Sequence, residues 1–365
     1  MKCETFRFDE VTINFDKMRV PLSGKQRSKR QGCYRYYGAQ GIIDFVDDYI
    51  FDGTYLLIAE DGENLKSKKQ NIAQVVKGKF WVNNHAHIVQ TNEQCNLFYL
   101  CYLINNMDLS GYITGSAQPK LSQTNLNAVI FQLPSIEKQN KIVSVLSAFD
   151  DKIECNNKIN ENLQQQAQAV YHEWFDDVGD TTENGILSDI CAYSIEKVDV
   201  TELNVNTYFS TENMLSDKAG AIAASKLPST LQTTACHRGD TLISNIRPYF
   251  KKIVYCYEKC GCSSDVLCFV PIHPEYSAYL YSTLYDDRFF NFMVAGSKGT
   301  KMPRGDKKQI MTFPVKIPTD SELERFNSLA IPILEQIQNN REENKRLSLL
   351  RDTLLPKLMN GEVSL

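Results

Sequence analysis

Two stretches of this chain carry cations at a density that suits contact with a polyanion. Between Lys17 and Arg35 there are seven basic residues (Lys17, Arg19, Lys25, Arg27, Lys29, Arg30, Arg35), and the single acid Asp16 stands just before them. The stretch GSKGTKMPRGDKK, 296–308, sets Lys298, Lys301, Arg304, Lys307 and Lys308 against Asp306. Lys and Arg neutralise phosphates, and Arg, Asn and Gln on loops can also read base edges in the major groove. One such run is usually a solvated face. Two in separate parts of the chain point to nucleic acid, although the net charge of −4 alone argues mildly against it. The candidate DNA contacts are Lys25, Arg27, Lys29, Arg30, Gln40 and Lys120 in the first half, with Arg247, Tyr249, Lys251, Lys298, Lys301 and Arg304 in the second. Arg247 stands in SNIRPYFKK (244–252), where Pro248 limits the loop's freedom and Tyr249 offers an aromatic surface.

Other residue groups suggest chemistry less well. His85 and His87 have the spacing of a pair on one face of a strand, but the second half of the chain has Asp265 and Leu267 at the matching positions, so a structural role is expected. Eleven cysteines, an odd number spread from Cys3 to Cys268, read as thiols rather than a disulfide framework. The cluster Cys256, Cys260, Cys262 and Cys268 lacks the paired knuckles of a zinc site, and core or loop cysteines are expected. Adjacent Asp150 and Asp151 point in different directions from a helix and read as surface charges. There is no P-loop, no methyltransferase Asn/Asp-Pro-Pro-Tyr/Phe tetrapeptide and no nuclease-like set of acids with a lysine. We therefore expect no catalytic residue, no metal ligand and no cofactor bound by this chain.

The elements that must position the basic loops follow from an internal repeat. Ile142, Leu146, Phe149, Ile153, Asn156, Asn160, Leu163, Ala167, Val170 and Trp174 step by threes and fours, a heptad seam held for about four and a half heptads. The same seam recurs 184 residues later as Phe326, Ala330, Ile333, Ile337, Asn340, Asn344, Leu347, Arg351, Leu354 and Leu358, with the asparagine pair on the same two steps. Upstream, 102–134 lies opposite 279–318, aligning Gly115-Ser116 with Gly296-Ser297 and Lys120 with Lys301. Likewise DGTYLLIAEDG (52–62) lies opposite RGDTLISNIRP (238–248), and FDEVTI (8–13) opposite LSDICA (187–192).

The expected organisation is a mixed domain over 1–134, a helix over 135–175, a polar linker over 176–185, a second domain over 186–318 and a second helical region over 319–365. Pro332 is expected to start the regular part of the second helix, leaving 319–331 as a separate turn. Arg351, at a seam position, is expected to snorkel or to meet an acid on a partner. A helix of forty residues, as over 136–175, would be about 60 Å long. Each is the other's natural partner, most economically antiparallel, which suggests a ruler with a domain at each end. Asn156 and Asn160 are expected near Asn340 and Asn344, fixing the register. No segment is apolar enough for a membrane span or a signal peptide, so a cytoplasmic protein is expected.

The chain resembles the specificity subunit of type I restriction-modification systems. The resemblance covers essentially all of it and is carried by YYGAQGIIDFVDDYIFDGTYLLIAEDG (36–62), KLSQTNLNAVIFQLPSIEKQNKIVSVLSAFDDKI (120–153), AVYHEWFDD (169–177) and LRDTLLPKLMNGEVSL (350–365). It implies a mixed α/β fold with two target recognition domains in a pseudo-twofold repeat, separated by two long antiparallel coiled-coil helices. Each domain would read half of a bipartite, asymmetric site on double-stranded DNA. The implied partners are two modification subunits, which use S-adenosylmethionine to methylate adenine, and restriction subunits, which use ATP and Mg. The alternatives are the recognition portion of a single-chain restriction-methylation enzyme and a coiled-coil scaffold that binds no DNA.

Overall fold

A computed structural model describes residues 3–363 except 69, 116–117 and 176–183. Most of the segment read as a linker, and Ser116 of the Gly-Ser pair, lie outside the described residues. Two compact units result: residues 1–153 with 345–365, and residues 154–344. Among the described residues no helix is long and apolar enough to cross a membrane.

In the first unit a six-stranded sheet has the order Thr12–Asn14, Ala86–Thr91, Phe51–Ala59, Ala73–Val82, Gln31–Gly38, Gly41–Val46. All neighbours are antiparallel except Gln31–Gly38 with Ala73–Val82, which are parallel. The second unit repeats this plan in broken form. Cys191–Tyr193, Val266–Pro271, Thr241–Ser244 and Ile253–Tyr255 follow the same order as the first four strands, while Gln232–Cys236, Cys260–Cys262 and Tyr208–Phe209 belong to a separate sheet with Lys197–Asp199. The parallel pair is retained as Tyr208–Phe209 with Cys260–Cys262. Thus two long strands of the first unit each become two short ones in the second. In the first unit the bend falls at the paired Gly53 and Gly78, both with positive φ. In the second the corresponding Gly239, φ +96°, sits in a turn that ends one strand and starts the next. Five buried cysteines (Cys236, Cys256, Cys260, Cys262, Cys268) fill the core at this break, with Cys256 and Cys260 Sγ 3.5 Å apart. All are free thiols, and among the described residues no group of three or more His, Cys, Asp or Glu side chains is arranged to hold a metal ion.

The two long helices are Ile136–Phe175 and Asp320–Met359. Each contributes its ends to different cores. Ile142 and Leu146 from the start of the first helix and Leu358 from the end of the second pack in the first unit with Phe8, Leu56, Tyr99 and Leu121. Tyr171 and Phe175 from the end of the first helix and Phe326, Ala330 and Leu334 from the start of the second pack in the other unit with Phe269, Tyr279 and Phe289. Every seam position is buried or half-buried.

Two expectations about the helices are corrected. The second helix is unbroken through Pro332. Pro332 and Ser328, whose carbonyl loses its helical donor, are both on the exposed face where water can serve that carbonyl, while Phe326, Ala330 and Leu334 hold the buried face together. Arg351 meets an acid of its own chain, with Nη1 donating to Asp150 Oδ1 at 2.5 Å and Nε to Asp352 at 2.9 Å. Asp150 is consequently not a simple surface charge, since it also accepts from the Tyr102 hydroxyl.

Candidate nucleic-acid interface

The domains share a loop that the sequence alignment above placed three residues out of step. Thr114 and Lys120 close one loop by a pair of backbone hydrogen bonds of 2.8 Å, and Lys298 and Arg304 close another by a pair of 2.9 Å. Both have the form Gly-x-x-x-Pro-basic: Gly115 to Lys120 and Gly299 to Arg304. Gly115 has φ +84° and Gly299 φ +103°. The structural counterpart of Lys120 is therefore Arg304, not Lys301, and that of Gly115 is Gly299, not Gly296. Gly-Ser pairs resemble one another in sequence, but only a glycine whose φ is positive makes this turn.

A second loop abuts this one in both domains through matching hydrogen bonds. Gly62 N–H donates to Pro119 O at 3.1 Å, and Arg247 N–H to Pro303 O at 2.8 Å. Leu121 N–H donates to Glu60 O, as Gly305 N–H does to Asn245 O. Gly62 has φ +114° and Arg247 φ +51°, so the second domain places an arginine where the first uses glycine.

In the first domain the loop rests on a network of acids and histidines. Lys120 Nζ lies 3.3 Å from Glu60, which also receives Arg19 at 2.9 Å. His87 is fully buried, with Nδ1 2.6 Å from Asp16 and Nε2 2.8 Å from Leu121 O. Burial opposes ionisation of Asp16. The hydrogen bond and charge of His87, with Ile88 N–H and Arg19, outweigh it and hold the carboxyl below its ordinary range. His85 pairs with Asp61 at 2.7 Å. The histidines thus hold the loop from behind. Gln40, at the tip of the Gln31–Gly38/Gly41–Val46 hairpin, adjoins Gly62 and so the same loop.

The run Lys25–Arg30 lies on the turn Gly24–Arg27 and beyond, beside the strand Gly41–Val46. Two of its cations are occupied. Arg27 donates to Asp44 at 2.8 Å and to Leu22 O at 2.7 Å, and its hydrogen bond, with Gln31 and Phe45 N–H, holds the Asp44 carboxyl low. Arg30 pairs with Asp47 at 2.9 Å and stacks on Trp81 at 4.9 Å. Lys25 and Lys29 are exposed and without an ion pair among the described residues.

In the second domain Arg304 pairs with Asp265 at 3.1 Å and Lys298 with Asp306 at 2.5 Å, while exposed Lys301 has no such partner among the described residues. Arg247 Nε is buried without a hydrogen-bond partner among them. Lys251 lies 3.0 Å from Asp287, a residue that the sequence did not single out, as does Lys218 at 2.6 Å. Tyr249 and Phe250 are exposed beside each other, ring centroids 4.7 Å apart.

The asparagine step of the helix seam lies wholly within the second unit. Asn156 Nδ2 donates to Asn344 Oδ1 at 2.9 Å and to Glu343 at 2.7 Å, and Asn340 Nδ2 donates to Asn160 Oδ1 at 2.7 Å. As one number rises the other falls, so the helices run antiparallel here. The 184-residue repeat turns one Asn pair into the other, the signature of a local pseudo-twofold axis. Asn156 and Asn340 are 1% and 6% exposed. A slip of register would leave buried amides unpaired.

Residues 2–165 match the family model described as the type I restriction modification DNA specificity domain. Over 140 residues the chain is 34% identical to a putative type I restriction enzyme specificity subunit, S.HindORF215P, of Haemophilus influenzae, covering 38% of this chain and 35% of that one. Over 297 residues it is 27% identical to the type I restriction enzyme MjaIX specificity subunit of Methanocaldococcus jannaschii, covering 73% and 68%. The match to the Haemophilus protein thus spans little more than a third of that relative's length. The fold is shared with the crystal structure of a type I restriction-modification system S subunit from M. genitalium: TM-score 0.57, 14% identity, 98% of this chain and 96% of that one.

Proposed function

We propose that the chain, whose residues 2–165 match the type I restriction modification DNA specificity domain, is the DNA-reading subunit of a type I restriction-modification complex, each domain reading one half of a bipartite, asymmetric site. The observation that carries this reading is the repeated loop: Gly115–Lys120 and Gly299–Arg304 share backbone hydrogen bonds and end on a cation, but their neighbouring side chains differ. One framework with two sets of contacts suits two different half-sites. Lys25, Lys29, Gln40 and Lys120 contact DNA in the first domain. Arg247, Tyr249, Lys251, Lys298, Lys301 and Arg304 do so in the second. Arg27 and Arg30 contribute mainly by holding their loop.

The subunit itself performs no bond chemistry. Two modification subunits carry S-adenosylmethionine and methylate adenine, and restriction subunits use ATP and Mg to cleave, on cytoplasmic DNA. The paired helices fix the gap between half-sites, and the asparagine step holds their register. Expression of the full chain with its modification subunits, followed by methylome sequencing, should reveal a gapped motif that vanishes when this chain is omitted. A motif that persists without it, or methylation by the chain alone, contradicts the proposal. Removing a heptad from both helices should change the gap or abolish the motif, and an unchanged gap would count against the spacing role.

A further inference from the structure

Four of the five non-glycine residues with positive φ among the described residues lie at one place in the second domain: Asp217, Lys218, Arg247 and Lys251. Asp217 N–H donates to Phe250 O at 2.8 Å and Lys218 N–H to Lys251 O at 2.9 Å, tying two strained turns together. Asp287 clamps the pair from below through Lys218 Nζ and Lys251 Nζ. Residues in the left-handed region persist only where their surroundings over-determine them, and such strain gathers where a surface must be held ready. What this arrangement holds out is an aromatic pair, Tyr249 and Phe250, 49% and 36% exposed.

The first domain has the same backbone bond at Gly62 but, among the described residues, no such tip there, and Leu65 on the turn that follows is buried. The tip is flanked in the chain by Arg247, Lys251 and Lys252, and its loop pairs with that of Arg304, against Asp265 and Asp287. A polar surface would not expose two adjacent rings among cations by default, whereas nucleic acid offers phosphates for the cations and base faces for the rings.

Resting on the reading given under Proposed function, the geometry points to Tyr249–Phe250 as a preformed base-stacking wedge, which enters an opened base step of the target duplex, with Asp287 as its positioning residue. The second half-site is then recognised partly by how readily that step unstacks. Rings contribute no counterion release, so their loss lowers affinity without altering its salt dependence.

The test uses the full chain with its modification subunits and a duplex carrying the motif found by methylome sequencing. Tyr249→Ala with Phe250→Ala should weaken binding about 10- to 100-fold with an unchanged salt slope, the range for loss of base–aromatic stacking. Tyr249→Trp should retain affinity. Asp287→Ala, which removes a negative charge, should leave non-specific binding as strong or stronger while lowering the ratio of specific to non-specific affinity. 2-Aminopurine placed in the second half-site should brighten on binding of the wild type and not of the double variant. Wild-type affinity in a folded double variant, or a loss expressed wholly as a reduced slope, overturns the wedge. A wild-type complex that leaves no gapped motif overturns the underlying reading itself.

Discussion

The loops closed by Thr114 with Lys120 and by Lys298 with Arg304 share their closing hydrogen bonds and differ in their surroundings. The first is buttressed by the buried pair Asp16–His87 and by Arg19–Glu60, which exposed Lys120 joins from the surface, in a domain whose long strands bend at Gly53 and Gly78 without breaking. The second stands beside a strained aromatic tip, in a domain where the same strands are each cut in two and the break is filled by cysteines. The turn glycines and inter-loop hydrogen bonds are common to both, so they belong to the framework. What differs between the copies is where half-site specificity is most economically sought.

The sharpest break in this comparison comes from the turn glycines. A Cβ at Gly115 would lie 2.3 Å from Gln118 O, against 3.4 Å from Met302 O for Gly299. Gly115→Ala should therefore destabilise the first domain by about 3 kcal/mol or more, strain and clash together. Gly299→Ala should cost only the strain, about 1–2 kcal/mol. Urea unfolding of both variants checks the order, and equal losses would mean that the close approach of Gln118 O to Gly115 relaxes at little cost. Next is His87→Ala, which strips a buried carboxylate of its partner and should cost about 2–3 kcal/mol. A loss under half a kcal/mol in the same assay would show that Asp16 has found other partners.

A smaller effect is expected from Lys301→Ala, which should lower the salt slope of DNA binding by about one and weaken all sequences alike. A change confined to one base position would instead mark Lys301 as a base reader. The smallest concerns pH. The lysines beside Asp287, Lys218 first, hold its carboxyl below the ordinary value. Its stabilisation of the tip is thus complete above the unfolded aspartate pKa of about 3.9 and is lost as pH falls further through the folded value. With Asp287 more than half exposed, the effect should stay within about 1 kcal/mol. Hydrogen exchange at the Asp217 and Lys218 amides should quicken at acid pH in the wild type and be pH-insensitive, beyond intrinsic exchange, in Asp287→Asn.

The helices are the most legible part of the sequence, because a seam of threes and fours has no other good solution and its copy lies at constant offset. The same spacing brought out the four asparagines as one polar step, and they share hydrogen bonds in the structure. Pro332 misled because a proline rule describes the lost bond and not the solvent that can replace it. The equivalence of Lys120 and Arg304 lies at the same 184-residue offset as the seam and is masked by the resemblance of the Gly-Ser pairs, whereas φ marks Gly299 as the turn glycine. Arg27 and Arg30 read as free cations because their acids, Asp44 and Asp47, come from another part of the fold. Asp287 was invisible for the same reason: its lysines are 69 and 36 residues away in the chain.

The central claim is that each domain reads one half of the site independently. Methylome sequencing of cells carrying the full chain with its modification subunits, as wild type, as Lys301→Ala/Arg304→Ala and as Gln40→Ala/Lys120→Ala, tests it most directly. The account predicts that each double variant relaxes or loses one half of the gapped motif, a different half in each, while the other half and the gap stay as they were. Variants that degrade both halves together, or the same half, would contradict it.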